Sequence, residues 1–217
     1  MKNVWIAAAI LFLAPVSAIC GGNPPAPAKM IHMIVRMSGT DIPADSFGAK
    51  PKTMWRASNA YCRIDEEPDP SEGIHLRSIM NEPDAWLVDL VSKTAKHMVD
   101  PGPTFNCRMP IFAFDQDMMK STIGGLEFGH ELEFFQKNGA KQVDGPPADF
   151  KVVYYELTID DMVLRMAVHA DTNAPAIIGM VQGKKIIDVQ YLLWDDQGPF
   201  NSSLFAAPTG VSVEEVK

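Results

Sequence analysis

The stretch from Phe150 to Trp194 constrains the fold most, because it consists of short apolar runs separated by turns. Four runs each have the length of a strand: Phe150–Ile159, Met162–Ala170, Ala176–Gln182 and Ile186–Trp194. The breaks between them are short and rich in Asp, Gly and Lys. Short breaks favour antiparallel neighbours, since a parallel connection needs a dozen residues or more. The stretch therefore predicts a four-stranded antiparallel meander.

Apolar and polar residues alternate within these runs. In the second run one face carries Met162, Leu164, Met166 and Val168. In the fourth run the apolar side chains alternate with Asp188 and Gln190. A period of two is typical of a sheet with one buried face. We therefore expect this stretch to form half of one curved antiparallel sheet.

A second set of strand-length runs precedes this stretch, with a helical segment between the two sets. The runs are Met30–Met37, Lys52–Ser58, Tyr61–Glu66, Ile74–Met80, Ala85–Val91 and Lys93–Val99. Leu126–Asn138 has apolar residues at helical spacing, and Gly139 follows it as a helix stop. A shorter helical turn near Gln116–Thr122 also fits the sequence. The order of meander, helix and meander predicts an α+β fold.

The N-terminus has the pattern of a secretory signal. Lys2 provides the positive charge, Val4–Ala14 is apolar, and small residues lead up to Ala18. The apolar run is too short for a membrane anchor, which needs about 20 residues. The expected organisation is a signal peptide over 1–18, a Pro- and Gly-rich linker over 19–29 and one domain over 30–217, in the periplasm or another extracytoplasmic compartment.

Three cysteines then lie in an oxidising compartment. Cys20 falls in the predicted linker, and the residue before a lipidated cysteine is normally small. Because Ile19 is large, we do not expect a lipid anchor at Cys20. Cys62 and Cys107 fall in the predicted domain, and a disulfide between them is the simplest pairing. Two separate thiols are the alternative.

The charge and motifs of the chain argue against several function classes. A net charge of −8 disfavours a nucleic-acid partner, which requires a basic surface. His130-Glu131 begins like a zinc-protease helix, but Phe134 replaces the second histidine. The sequence contains no Gly-x-Ser-x-Gly elbow and no phosphate-binding glycine loop. We therefore predict no catalytic residues, no metal site and no cofactor.

The apolar content exceeds what one buried sheet face requires. Ile178, Met180 and Leu192 fall on the faces that a one-sided sheet would keep polar. The 13 methionines suit a surface that adapts to ligands of variable shape. The residues that we assign to a concave, ligand-binding face are Trp55, Ile64, Leu76, Trp86, Val88, Leu157, Leu164, Met166, Val189 and Tyr191. The alternative is that these residues form only the packed core.

Two segments resemble the periplasmic lipoprotein-carrier superfamily, the LolA and LppX-like proteins. Ser203–Glu215 is similar to the closing segment of those proteins, with Pro208, a spacer, Gly210 and an acidic, apolar-alternating end. Ile74–His97 is similar to their strand, turn, tryptophan and strand unit, with Trp86 as the tryptophan. The resemblance implies a strongly curved antiparallel half-barrel covered on its concave side by one or two helices. It further implies a cavity for acyl chains and no enzymatic activity.

The chain also differs from the carriers, because a proline-rich linker leads directly into a strand where they begin with an amphipathic helix. Looser exported relatives of the carriers are therefore the nearer comparison. The expected function is an exported binding protein that holds a lipid or another hydrophobic ligand between sheet and helix. The alternative is an envelope sensor or adaptor that binds another protein through the same sheet.

Overall fold

The structure, a computed structural model, describes residues 27–40, 42–100, 102, 107, 122–146 and 151–216. The described residues form twelve strands and one α-helix. The strands are β1 Lys29–Gly39, β2 Lys52–Ala57, β3 Tyr61–Glu66, β4 Leu76–Asn81, β5 Asp84–Asp89, β6 Thr94–Val99, β7 Lys141–Val143, β8 Val152–Ile159, β9 Met162–His169, β10 Pro175–Gln182, β11 Lys185–Pro199 and β12 Ser212–Glu215, and the helix is α1 Glu131–Lys137. Short 3₁₀ turns span Phe47–Ala49, Thr122–Gly125 and Ser202–Phe205. In these parts of the chain no helix has the length and apolar character needed to cross a membrane.

All twelve strands belong to one open sheet, with the order β12-β6-β5-β4-β3-β2-β1-β11-β10-β9-β8-β7. Neighbouring strands are antiparallel except β12, which runs parallel to β6. Both predicted meanders are present, and β1 joins them by pairing with β2 on one side and β11 on the other. The open, curled sheet fits the predicted half-barrel. The predicted signal peptide, Cys20 and residues 116–121 lie outside the described residues.

The long strand β11 differs from the sequence prediction, which ended it at Trp194. Asp195–Gly198 has the composition of a turn, yet the strand continues to Pro199. The reason is its partner, because the beginning of β1 pairs with this extension from Lys29↔Pro199 onwards. Register shifts near His32 and Val35 mark irregularities in this pair, of the kind that increases the twist of a sheet.

The main core lies on one side of the sheet, which we call the inner face. Residues 122–140, which we call the covering segment, lie over this face and include α1. Phe128 and Phe135 of the covering segment are completely buried against inner-face residues such as Met33, Leu164 and Val189. Burying a side chain of this size stabilises the fold by about 1.5–3 kcal/mol. The covering segment is therefore held to the sheet mainly by apolar packing.

The helix is shorter than predicted, and a glycine explains where it begins. The predicted helix started at Leu126, but Gly129 has a φ of +85°, a left-handed conformation that an α-helix cannot contain. A Cβ atom at position 129 would also lie 3.0 Å from Ile31 Cδ1. Gly139, with a φ of +77°, follows the helix as predicted.

A second, smaller apolar cluster lies on the opposite side of the sheet, the outer face. It consists of Ile79, Trp86, Val88 and Ala95, with Leu90 and Val211 packed against it. Residues 200–216, which we call the C-terminal segment, follow the outer face of the first meander. Phe205 of this segment is completely buried and contacts the rings of Tyr61 and Phe200. The first meander therefore carries apolar packing on both faces.

Candidate functional site

Three of the ten residues assigned to the concave face lie on the outer face instead. Trp86 and Val88 belong to the outer cluster with Ile79. The ring of Trp55 stacks on that of His32 at 5.1 Å, and the Arg63 guanidinium lies 5.3 Å from its centre. Trp55, Trp86 and Val88 thus lie on the face opposite the main core, and their role in ligand binding stays a prediction. The strands of the first meander bear bulky apolar residues in both phases, so alternation alone does not tell which phase faces inward.

The other seven residues lie on the inner face, but most of them are covered by the protein itself. Leu157, Leu164, Met166 and Val189 are buried in the main core. Tyr191 packs against the same core and donates a hydrogen bond to the covering segment. Opposite the second meander, the inner face is thus filled by the protein's own side chains. Ile64 and Leu76 remain only half-buried.

The part of the inner face over β3–β6 is more open. We call Ile64, Leu76, Leu87 and Met98 the inner strip; all four are half-buried. Leu76 and Leu87 pack against neither apolar cluster of the described residues. The register partner of Leu87 is Lys96, whose side chain is exposed. Ile64 and Met98 pack against the edge of the main core. Leu76 and Leu87 are therefore the part of the inner strip that solvent reaches and that the described core does not use.

Sequence reasoning missed Leu87 and Met98. Leu87 alternates with Trp86, and the tryptophan was chosen instead; no residue of β6 was assigned to the ligand-binding face, although Met98 alternates with His97 there. Trp86 and His97 stack on each other on the outer face at 5.1 Å, so their neighbours must point inward. The pairing of the two rings across β5 and β6 is the signal that could have placed Leu87 and Met98 correctly.

A buried polar pair lies at one end of the inner strip. Lys52 is 4% exposed, and its Nζ lies 3.8 Å from Glu66 Oε1 and 5.1 Å from the centre of the Phe47 ring. Glu66 Oε2 is buried and has no hydrogen-bond partner among the described residues. Burial lowers the pKa of Lys52, partly offset by Glu66. Burial likewise raises the pKa of Glu66, partly offset by Lys52.

A second polar cluster joins the covering segment to the sheet. Glu131 is 1% exposed and accepts a hydrogen bond of 2.9 Å from the Tyr191 hydroxyl. Burial raises the pKa of Glu131 to about 7, against the lowering effect of backbone N–H groups, Tyr191 and Arg56. The guanidinium of Arg56 is also buried; it forms an ion pair of 2.8 Å with Glu127 and donates to Phe128 O at 2.8 Å.

A pocket of about 130 Å³ lies beside this cluster, with Glu131, Glu133 and Trp194 in its wall. The described residues contain no group of three or more His, Cys, Asp and Glu side chains that could hold a metal ion. The carboxyl of Glu131 is already hydrogen-bonded by Tyr191, so its evident role is to fasten α1 to β11.

The two domain cysteines lie close together in the main core. Both are buried and both are thiols in the structure. Burial and then a hydrogen bond with Cys107 raise the pKa of the Cys62 thiol. The backbone oxygen of Cys107 accepts a hydrogen bond from Phe128 N at 3.0 Å. The pair is thus brought together as predicted, while the disulfide itself stays a prediction.

Comparison with known proteins gives structural neighbours. No protein-family model matches the chain, and no curated protein matches it. An uncharacterized conserved protein from Thermus thermophilus has a TM-score of 0.49 at 8% identity, over 87% of this chain and 91% of that one. A LolA superfamily protein, NE2245 from Nitrosomonas europaea, has a TM-score of 0.37 at 11% identity, over 84% of this chain and 91% of that one.

A third neighbour is the Pseudomonas aeruginosa MucA/MucB complex, with a TM-score of 0.43 at 12% identity over 82% of this chain. The match spans 56% of the chain in that structure. These likenesses establish no family. They include a LolA superfamily protein, as the resemblance led us to expect, and membership of that superfamily stays a prediction.

Proposed function

We propose that this protein is an exported, non-enzymatic binding module that holds a lipid or another elongated hydrophobic molecule on the inner face of β3–β6. The observation that carries this proposal is the inner strip. Leu76 and Leu87 are apolar, half-buried and outside both packed clusters of the described chain. An apolar surface of this kind, partly open to solvent, favours a guest molecule that removes it from water.

The energetics of such a ligand are favourable. Each buried methylene contributes about 0.8 kcal/mol, so a chain of about 16 carbons contributes on the order of 12 kcal/mol before costs. Loss of motional freedom and ordering of the ligand offset an appreciable part of that gain. The flexible side chain of Met98 suits a ligand whose shape varies.

The first test is lipid content and binding. The protein purified without detergent is extracted with organic solvent, and the extract is analysed by mass spectrometry. Saturable binding is then measured by displacing anilinonaphthalene sulfonate with monopalmitoylglycerol. We expect co-purified lipid or saturable displacement, and a protein that shows neither contradicts the proposal.

The second test compares two substitutions on neighbouring strands. Leu87→Asp places a carboxylate on the inner strip and should weaken monopalmitoylglycerol binding by about tenfold or more, because the charge would be desolvated by the ligand. Val99→Asp is the matched control, since Val99 is 57% exposed on the outer side of β6. Circular dichroism checks that both variants fold. Equal binding by the two variants would place the ligand elsewhere.

A second candidate function is binding of another protein through the sheet. The observation that favours it is β12, an edge strand whose residues are all exposed, including Val213 at 47%. An open edge can pair with a strand of another chain. Val213→Pro would block such pairing at the edge without touching the inner strip. Loss of a protein partner with lipid binding unchanged would favour this candidate.

A further inference from the structure

We infer that Lys52 and Glu66 form a head-group site at the end of the inner strip, and that it takes a neutral head such as a hydroxyl or amide. Such a head both accepts and donates a hydrogen bond. This inference rests on the proposed function, because it names the class of amphiphile that the inner strip would hold.

The first step is that Lys52 is buried, Glu66 is half-buried, and the two are poorly hydrogen-bonded. The side chain of Lys52 is 5% exposed and that of Glu66 16%. Their nearest charged atoms, Nζ and Oε1, are 3.8 Å apart, beyond hydrogen-bond distance. The second carboxylate oxygen, Oε2, has no hydrogen-bond partner in the described chain. Buried polar groups are normally hydrogen-bonded, so an orphaned carboxylate oxygen beside a buried ammonium calls for an explanation.

The second step is that the pair adjoins the open apolar surface. Lys52 and Glu66 are register partners on β2 and β3. Arg77 pairs with Asp65, so the preceding residue, Leu76, lies beside Glu66 on the inner face. From β3 to β6 the strip then crosses three strand spacings, about 14 Å. A molecule with its head at Glu66 could therefore lay its chain over Leu76 and Leu87.

The third step is the chemistry of the head. The Lys52 ammonium offers N–H donors, and Glu66 Oε2 offers an acceptor. A hydroxyl accepts from the first and donates to the second, and an amide does the same with its two ends. A carboxylate head would satisfy Lys52 but would face the Glu66 carboxylate with like charge. A methyl ester has no donor and would leave Oε2 unpaired.

A ligand head placed at Oε2 would displace any water that pairs with this oxygen in the free protein. A ligand that displaces a well-ordered water keeps its affinity only if it reproduces the hydrogen bonds of that water. A hydroxyl head does so, which gives the site its selectivity for the head independently of the chain.

The experiment measures three ligands that share one chain: monopalmitoylglycerol, methyl palmitate and palmitate, each by isothermal titration with the full protein. We expect monopalmitoylglycerol to bind about tenfold more tightly than methyl palmitate, and palmitate to be disfavoured as well. Glu66→Gln should make palmitate a favoured ligand instead of a disfavoured one, because the amide of Gln can donate a hydrogen bond to a carboxylate. Glu67→Gln, an exposed neighbour, is the matched control and should leave all three affinities unchanged.

The outcomes separate this inference from the proposed function. Equal affinities for the three ligands, unchanged by Glu66→Gln, would overturn the head-group site while the proposed function stands. Failure of all three ligands to bind would overturn both. Lys52→Met, checked for folding by thermal melting, should remove the preference for monopalmitoylglycerol over methyl palmitate; retention of that preference also contradicts the site.

Discussion

Glu131 is a buried carboxyl group whose protonation affects how firmly the covering segment is held. Its carboxyl accepts the Tyr191 hydroxyl hydrogen bond across the interface between α1 and β11. Burial raises its pKa from 4.5 to about 7, so the neutral form is the better fit to the folded state. A raised pKa means that the folded state binds this proton more tightly than the unfolded state does.

The prediction for Glu131 concerns the free energy of unfolding between pH 4.5 and 7. Below pH 4.5 the carboxyl is protonated in the folded and the unfolded state, and the stability that it contributes is fully present. As pH rises to 7 the unfolded state loses the proton first, so Glu131 destabilises the fold by about 3 kcal/mol over this window. Urea unfolding at several pH values should show that Glu131→Gln removes this loss. Glu133→Gln, at a 72% exposed side chain, is the control, and an identical pH profile in all three proteins contradicts the prediction.

At the scale of elements, β12 is held to β6 by a histidine between two carboxylates. His97 Nδ1 lies 2.7 Å from Glu215 Oε2, and His97 Nε2 lies 2.8 Å from Asp84 Oδ1. Only the protonated imidazole donates from both nitrogens. Burial lowers the pKa of His97, but the hydrogen bonds to Asp84 and Glu215 outweigh burial and raise it. The stability that this contact contributes to the folded state is therefore fully present below about pH 6.5. It is lost as pH rises through the raised pKa of His97.

The prediction for β12 is that its attachment loosens as pH increases. The reporters are two amides of the C-terminal segment, Val216 N, bonded to His97 O at 2.8 Å, and Ser212 N, bonded to Lys93 O at 2.9 Å. Their hydrogen-exchange protection, corrected for intrinsic exchange rates, should fall as pH rises from below the ordinary histidine pKa of about 6.5 to above the raised pKa of His97. Glu215→Gln should reduce this pH dependence, whereas Glu214→Gln on the same strand should not. Constant protection across that range would show that His97 does not hold the strand.

The elements themselves could be predicted in part. The strand runs predicted in the second meander are confirmed by β8 to β10 within a few residues, and the predicted strand Tyr61–Glu66 is β3. The predicted helix began too early, because Gly129 falls at helical spacing from Leu126 and Leu132 in the sequence. Gly129 adopts a left-handed conformation, and a Cβ atom there would lie 3.0 Å from Ile31 Cδ1 and 3.2 Å from Arg56 Cδ on the sheet beside it. The extension of β11 likewise depends on pairing with β1, a contact between distant parts of the chain.

At the scale of the whole molecule, Cys62 and Cys107 link the first meander to the covering segment. Cys62 lies on the inner face of β3, and Cys107 is hydrogen-bonded through its backbone to Phe128. If the protein is exported, oxidation of the two adjacent thiols by a disulfide donor would close a loop of roughly 45 residues. Chain-entropy arguments give about 4 kcal/mol of stabilisation for such a loop.

The prediction is that the mature, exported protein carries this disulfide. Its intact mass under denaturing conditions should increase by the mass of two hydrogen atoms on reduction, and only the reduced protein should react with iodoacetamide at both positions. Thermal melting in reductant should resemble that of the Cys62→Ser, Cys107→Ser double variant. Full alkylation of Cys62 and Cys107 without reductant contradicts the prediction.

The sequence by itself determined that the chain forms two antiparallel meanders joined across a helical segment, because alternation and short turns are local properties. It also placed Ile64 and Leu76 on the inner face. Only the tertiary structure decided which phase of β5 faces inward, since both phases of this strand carry bulky apolar residues and the C-terminal segment covers the outer one. For the same reason the sequence analysis chose Trp86, which lies on the outer face, and overlooked Leu87. The pairing of Lys52 with Glu66 follows from the short connection Ser58–Ala60 between β2 and β3, because loop length fixes the register of a hairpin. That this pair lies beside half-buried apolar residues of β4 and β5 depends on how the sheet packs, which no local pattern in the sequence specifies.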